Sequence, residues 1–150
     1  EKLVKSPQLQ NRFEYLPCSI GDPKEPHIKF FDRPFMAGSI FQSNSNDPFY
    51  YTSTLNISDL FSSNKGSFDL IKCDIEGGEW DLLVNYCSIL QKTRFFVMEW
   101  HSWHSGGEGF SQIEKKLTDL GFEIVNSSSP QKAVGRDGEV GLFLARNLKF

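Results

Sequence analysis

The chain has 150 residues, 39% of them hydrophobic and 23% charged, with 19 acidic side chains against 16 Lys and Arg. A chain this long supports one domain with a core of its own, since folding at this size removes about two-thirds of the unfolded surface from water. The net charge of -3 offers no basic stripe to neutralise phosphates, which argues against nucleic acid or an anionic membrane as partner, and no apolar run approaches the ~20 residues of a membrane-spanning helix.

A soluble, cytoplasmic protein is therefore expected. Cys18, Cys73 and Cys87 are odd in number and none forms a C-x-x-C or C-x-x-H pair, so free thiols in a reducing compartment are expected rather than disulfides or structural zinc. The chain opens on Glu1 without the regions of a signal peptide and reads as part of a longer protein.

In chain order, Arg12 to Ile20 is rich in strand formers and is stopped by Gly21-Asp22-Pro23 before a second apolar run from His27 to Phe31, which predicts a strand and a hairpin-like return. Asp32 to Pro48 is polar and loop-like. Phe49 to Leu55 reads as a short strand, followed by Asn56 or Ser58 as cap of one helical turn through Phe61. Phe68 to Asp74 is apolar on both faces, as in a strand covered by helices on each side.

From Gly77 to Leu90 the positions Trp80, Leu83, Val84, Cys87 and Leu90 follow helical spacing, with Glu79 and Asp81 in the first turn. Arg94 to Trp100 is the next strand, Gly106 to Gly109 a glycine-rich connection, and Phe110, Ile113, Leu117 and Leu120 the inner stripe of another helix, with Gly121 placed to stop it. Phe122 to Asn126 and Val140 to Arg146 should pair as an antiparallel hairpin at the sheet edge. The order from residue 68 onward predicts an α/β sheet with one reversed edge strand.

Ligands of open α/β sheets bind outside the carboxyl ends of the strands, which places Asp74, Glu76 and Glu79 where chemistry is expected. If strand geometry persists, Asp74 and Glu76 point to one side, and a parallel neighbour ending in Glu99-Trp100-His101 brings a carboxylate and an imidazole to the same crevice. Crowded carboxylates raise at least one pKa and so create a general base. The plainer alternative is that Asp74 and Glu79 only cap the following helix.

Trp100, His101, Trp103 and His104 mix aromatic faces with imidazoles, a combination suited to a polar, ring-bearing substrate. A metal site from Asp74, Glu76, Glu99 and His101 is the less favoured alternative. Phosphate binding at Gly106 to Gly109 is opposed by Glu108.

The run Asp69-Leu70-Ile71-Lys72-Cys73-Asp74-Ile75-Glu76-Gly77-Gly78-Glu79 resembles the D-x-x-K-x-D-x-E-G-x-E signature of the FkbM-like S-adenosylmethionine-dependent methyltransferases. Thr54-Leu55 with Leu60 is similar to the stretch ahead of that motif, and Met98-Glu99-Trp100-His101 is similar to the family's E-x-H strand end. The resemblance implies a Rossmann-like class I methyltransferase sheet in order 3-2-1-4-5-7-6, mostly parallel with an antiparallel C-terminal hairpin. On that comparison Phe68 to Asp74 is strand 4 and Arg94 to Trp100 is strand 5.

The resemblance also implies that Cys18, Ser19 and Ile20 contact the adenine end of S-adenosylmethionine, with Asp74 as a further cofactor contact. The glycine-rich loop after strand 1 and the acidic ribose residue after strand 2 have no counterpart in these residues. The chain is thus expected to be the part of the domain from strand 3 onward, lacking the first two strands, with an upstream segment of roughly 60 to 100 residues.

Methyl transfer from a sulfonium is a direct displacement that requires no metal; the protein aligns the reactants and removes a hydroxyl proton. Asp74, Glu76 and His101 are the catalytic candidates, with Glu99 orienting His101. Glu79, Glu99, Trp100, Trp103 and His104 are the substrate-binding candidates, and the acceptor implied is a sugar or natural-product hydroxyl. The competing readings are a non-catalytic module holding a carbohydrate or partner through residues 100–104, and a metal-dependent hydrolase.

Overall fold

The computed structural model describes residues 16–20, 24–33, 38–42, 46–62, 66–103, 109–133 and 137–150. Three strands, β1 (Ser19–Ile20), β2 (His27–Phe31) and β3 (Phe49–Leu55), form a small sheet in the order β1-β3-β2. The hairpin-like return expected after the first strand is not what forms. β2 lies antiparallel to β3, from His27 opposite Ser53 to Phe31 opposite Phe49, while β1 runs parallel to the other edge of β3 at Thr54 and Leu55.

Residues 16–18 are outside the strand and 11–15 outside the described residues. The polar connection from β2 to β3 is tied down where it is described: Arg33 pairs with Asp47 at 3.1 Å with both side chains largely buried, and Ser39 bridges back to Phe31. Helix α1 (Ile57–Ser62) follows, and Asn56 Oδ1 accepts the Ser58 N–H at 3.1 Å as the cap its sequence position predicts.

The larger sheet has the order β4-β5-β8-β6, with β7 (Gln131–Lys132) pairing on β8. Strand β4 (Phe68–Cys73) is parallel to β5 (Thr93–His101) with Cys73 opposite Met98, so the two strand ends stand side by side. Strand β8 (Glu139–Asn147) runs antiparallel between β5 and β6 (Phe122–Ser127). The reversed strand is therefore internal, not at the edge. Its run Gly141-Leu142-Phe143-Leu144-Ala145 is the continuous apolar pattern of a central strand, and β6 takes the outer position.

The helices cover one face. Phe96, Met98, Trp100, Phe122, Phe143 and Ala145 of the sheet pack against Leu82, Leu83, Tyr86, Leu90, Ile113 and Leu117. Among the described residues no helix covers the opposite face as the sequence led us to expect, and Leu70 is 55% and Leu142 46% exposed there.

The single helix predicted over 77–90 is two, α2 (Glu79–Asn85) and α3 (Cys87–Leu90), broken at Tyr86 with φ -122° and ψ 30°. Buried Tyr86 lets α3 keep the same inner face, so the apolar period runs through the break. Helix α4 (Phe110–Leu120) buries Ile113, Leu117 and Leu120 and ends at Gly121, whose φ of 95° is the left-handed conformation of a helix stop. Among the described residues no helix is long and apolar enough to cross a membrane.

Candidate functional site

The site grows from the turn between β4 and α2. Glu76 and Gly77 both have positive φ, 53° and 106°. A Cβ on Gly77 would also lie 3.2 Å from Phe41 Cδ2 and from Trp103 Nε1, so conformation and space both demand glycine there. The turn is held from beneath by Glu79, the first residue of α2. Its carboxylate accepts the Ile75 N–H at 3.1 Å and the Gly77 N–H at 3.1 Å. The same Oε1 lies 2.9 Å from His101 Nδ1. A side chain only 1% exposed thus ties the turn after β4 to the end of β5.

That contact sets the tautomer and direction of His101, whose side chain is 2% exposed. With Nδ1 engaged by Glu79, Nε2 points to the strand ends and lies 3.7 Å from Glu99 Oε1, outside hydrogen-bond reach. The Trp103 ring packs against the imidazole with centroids 4.2 Å apart. Burial alone pushes the His101 pKa down, but the hydrogen bond and charge of Glu79, with the charges of Glu76 and Glu99, outweigh it and raise the value above that of an ordinary imidazole. Next to the cluster, burial pushes the Cys73 thiol far up, and Glu79 and Asp74 add to the effect.

Asp74, Glu76 and His101 each offer a ligand atom within 4.8 Å of the others. Strand alternation is not the cause, because β4 ends at Cys73 and the turn, not the strand, folds Glu76 back beside Asp74. The Glu76 carbonyl receives the Ser39 hydroxyl at 2.6 Å and Trp103 Nε1 at 3.3 Å, so the small sheet and the segment after β5 both brace the turn. Lys72 Nζ reaches Asp74 at 3.5 Å, with both groups well exposed, a contact that solvent screens.

A cleft of about 400 Å³ opens beside this cluster. Cys18, Ser19 and Ile20 form one wall, Phe30 and Ile40 add apolar surface, and Asp74 and Glu76 face it from the turn. Its volume falls in the range of small-molecule sites, roughly 300–1,000 Å³.

The structure thus brings together six residues singled out in the sequence: Cys18, Ser19, Ile20, Asp74 and Glu76 around one cleft, and His101 behind the two acids. Glu99 stands beside His101 but does not orient it; Glu79 does, so Glu79 is a positioning residue and is too buried to touch substrate. Trp100 is corrected likewise. It is fully buried in the helix-covered core against Phe110, since it alternates with His101 and faces the opposite side of β5, and it is not available to substrate or carbohydrate. Trp103 is half-buried at the turn, and His104 lies outside the described residues, as do residues 105–108 of the glycine-rich connection.

Ser39, Phe30 and Ile40 were not foreseen, and only the spacing of Ser39 from a strand end across the small sheet, invisible without pairing, marks them. A buried carboxylate holding an imidazole beside two more carboxylates, at the mouth of a cleft, can orient a hydroxyl and accept its proton. Neither the curated proteins nor the solved structures compared with the chain give a match. Residues 11–124 match the family model of the methyltransferase FkbM domain; with more than half of its length inside that match, the chain belongs to the FkbM methyltransferase family.

Proposed function

We propose that the protein transfers a methyl group from S-adenosylmethionine to a hydroxyl of a small molecule or glycan. The observation that carries this reading is the shared position of Asp74 and Glu76, which line the cleft and also meet His101 within 4.8 Å. Cys18, Ser19 and Ile20 would hold the adenine end, with Ile20, Phe30 and Ile40 supplying apolar contact, and Asp74 would face the positive end of the cofactor. When bound, S-adenosylmethionine supplies a methyl carbon made electrophilic by its sulfonium.

The chain's own part is alignment and proton removal. Glu79 fixes His101 behind the two acids, and Asp74 and Glu76 face the cleft, where they orient the acceptor hydroxyl and take up its proton with His101 supporting them. The strand order β4-β5-β8-β6 supports reading this sheet as strands 4-5-7-6 of a class I methyltransferase sheet, with β1 as the end of strand 3. We place the protein in the cytoplasm, in keeping with three free thiols, and with neither nucleic acid nor membrane as partner.

Calorimetry with S-adenosylmethionine tests the reading. One-to-one binding that disappears in Ser19→Trp, which fills the cleft from β1, is expected. No heat at millimolar cofactor, or binding unchanged by that variant, overturns it.

A further inference from the structure

We propose that Asp74, Glu76 and His101 form a site for one divalent cation of the Mn2+ class. Direct methyl displacement does not demand a metal, so the case rests on the geometry of the three side chains. Their ligand atoms lie within 4.8 Å of one another, and a cation bound at about 2.1–2.2 Å to each would draw neighbouring ligands together to about 3 Å. Asp74 is exposed, so its carboxylate has room to make that adjustment while His101 stays fixed.

The second, independent observation is the state of His101. Its side chain is 2% exposed, Nδ1 is engaged by buried Glu79 at 2.9 Å, and Nε2 has no hydrogen-bond partner among the described residues. Nε2 stands 3.7 Å from Glu99 Oε1 on the ring edge away from Glu79, and the ring offers a nitrogen within 4.8 Å of ligand atoms of Asp74 and Glu76. A carboxylate behind an imidazole whose far nitrogen is open is the arrangement that orients metal-ligating histidines. Glu79 is itself anchored by the backbone N–H groups of Ile75 and Gly77, so the imidazole is pre-aimed without a ligand.

The donor set selects the ion. Two carboxylates suit hard cations and one imidazole suits borderline ones, a combination that Mn2+ accepts with water completing six-fold coordination. Two ionised carboxylates neutralise the cation, and the positions left to water are open to an acceptor hydroxyl on the cleft side. Coordination there lowers the hydroxyl pKa. With Asp74 and Glu76 committed to the cation, the acceptor proton would pass instead to Glu99, beside the site but outside the three ligands, its electron pair staying on oxygen. This role rests on the methyl-transfer reading; the binding of the cation does not.

The experiment is titration of the chelator-treated chain with Mn2+ alone, followed by calorimetry and by electron paramagnetic resonance for hyperfine coupling to an imidazole nitrogen. One site per chain with nitrogen coupling is expected, weakened at least about tenfold by Asp74→Asn and by Glu76→Gln, both in side chains that leave the core intact, and about tenfold by Glu79→Gln through the aim of His101. Asp69→Asn, at the far end of β4, serves as control. No uptake at millimolar Mn2+, uptake without nitrogen coupling, or uptake indifferent to the Asp74 and Glu76 variants overturns the proposal. Cofactor binding without Mn2+ uptake would remove the cation site and leave methyl transfer standing; Mn2+ uptake without cofactor binding would do the reverse.

Discussion

Removing the Glu79 carboxylate should cost more stability than any other single change at the site. Three donors point at it: the backbone N–H groups of Ile75 and Gly77 and Nδ1 of His101. Glu79→Ala strands all three in a place that is 1% exposed. At about 1–3 kcal/mol for each buried unsatisfied donor the sum is about 3–9 kcal/mol. Water entering the vacated space recovers part of it, so we expect ~4 kcal/mol, a large share of the roughly 5–15 kcal/mol that holds a domain folded. Glu79→Gln keeps an oxygen where Oε1 meets Ile75 and His101 but loses the charge, and since charged hydrogen bonds are about twice as strong as neutral ones, a loss of ~1–2 kcal/mol is expected.

Urea denaturation of metal-free protein measures both, and the imidazole Cε1 proton resonance reports the His101 pKa. In the native chain that pKa is raised. Protonated His101 therefore adds stability that is fully present below the unfolded value of 6.5 and is lost as pH rises through the higher folded value. In Glu79→Gln burial is opposed by Glu76 and Glu99 without the hydrogen bond and charge of Glu79, so the pKa should fall below that of the native chain. The stability gap between native protein and Glu79→Gln should be wide below pH 6.5 and narrow as pH rises through the raised folded value of His101. A His101 that titrates identically in both proteins, or a Glu79→Ala chain within about 1 kcal/mol of the native one, would refute the assigned role.

Gly77→Ala should cost about 1–3 kcal/mol from its positive φ and from the contacts with Phe41 and Trp103, whereas Gly66→Ala, with nothing near its Cβ, should stay within about 0.5 kcal/mol; thermal melts compare the two. Asn147→Ala removes hydrogen bonds to the Gln91 and Thr93 carbonyls and to the Lys149 N–H, for an expected loss of about 2 kcal/mol in denaturant midpoint at constant slope. A thiol-disulfide dye at pH 8 should label half-buried Cys18 and Cys87 readily, and Cys73, buried and with its thiol pKa raised, only on unfolding. Equal labelling of all three in folded protein would contradict that burial.

Local pattern was enough where one element decides its own fate. Strand β3 and helix α4 follow from a short apolar run and from Phe110, Ile113, Leu117 and Leu120 with Gly121 behind them, and their observed limits coincide with that pattern. Pairing partners were not legible in the residue pattern, because a strand carries its period but not its neighbour: His27–Phe31 chose β3 over β1, and the interior place of β8 agrees with the order the family resemblance implies and not with the edge hairpin read from the pattern. The approach of Asp74 and Glu76 was foreseen and its cause was not, since a positive φ at a glutamate leaves no mark in composition. Glu79 was legible as important and misread in role. An acid in a first turn looks the same whether it caps a helix, meets a ligand or, as here, reaches 22 residues along the chain to a histidine.

The left-handed backbone of Glu76 sets a conflict between durability and work. A glycine at this position would relax the turn by about 1 kcal/mol and erase one of the three side chains that meet within 4.8 Å beside the cleft. Laboratory evolution that rewards heat resistance alone should drift to glycine at position 76, while screens that also demand methyl transfer should, on the proposed function, keep the glutamate and its discomfort.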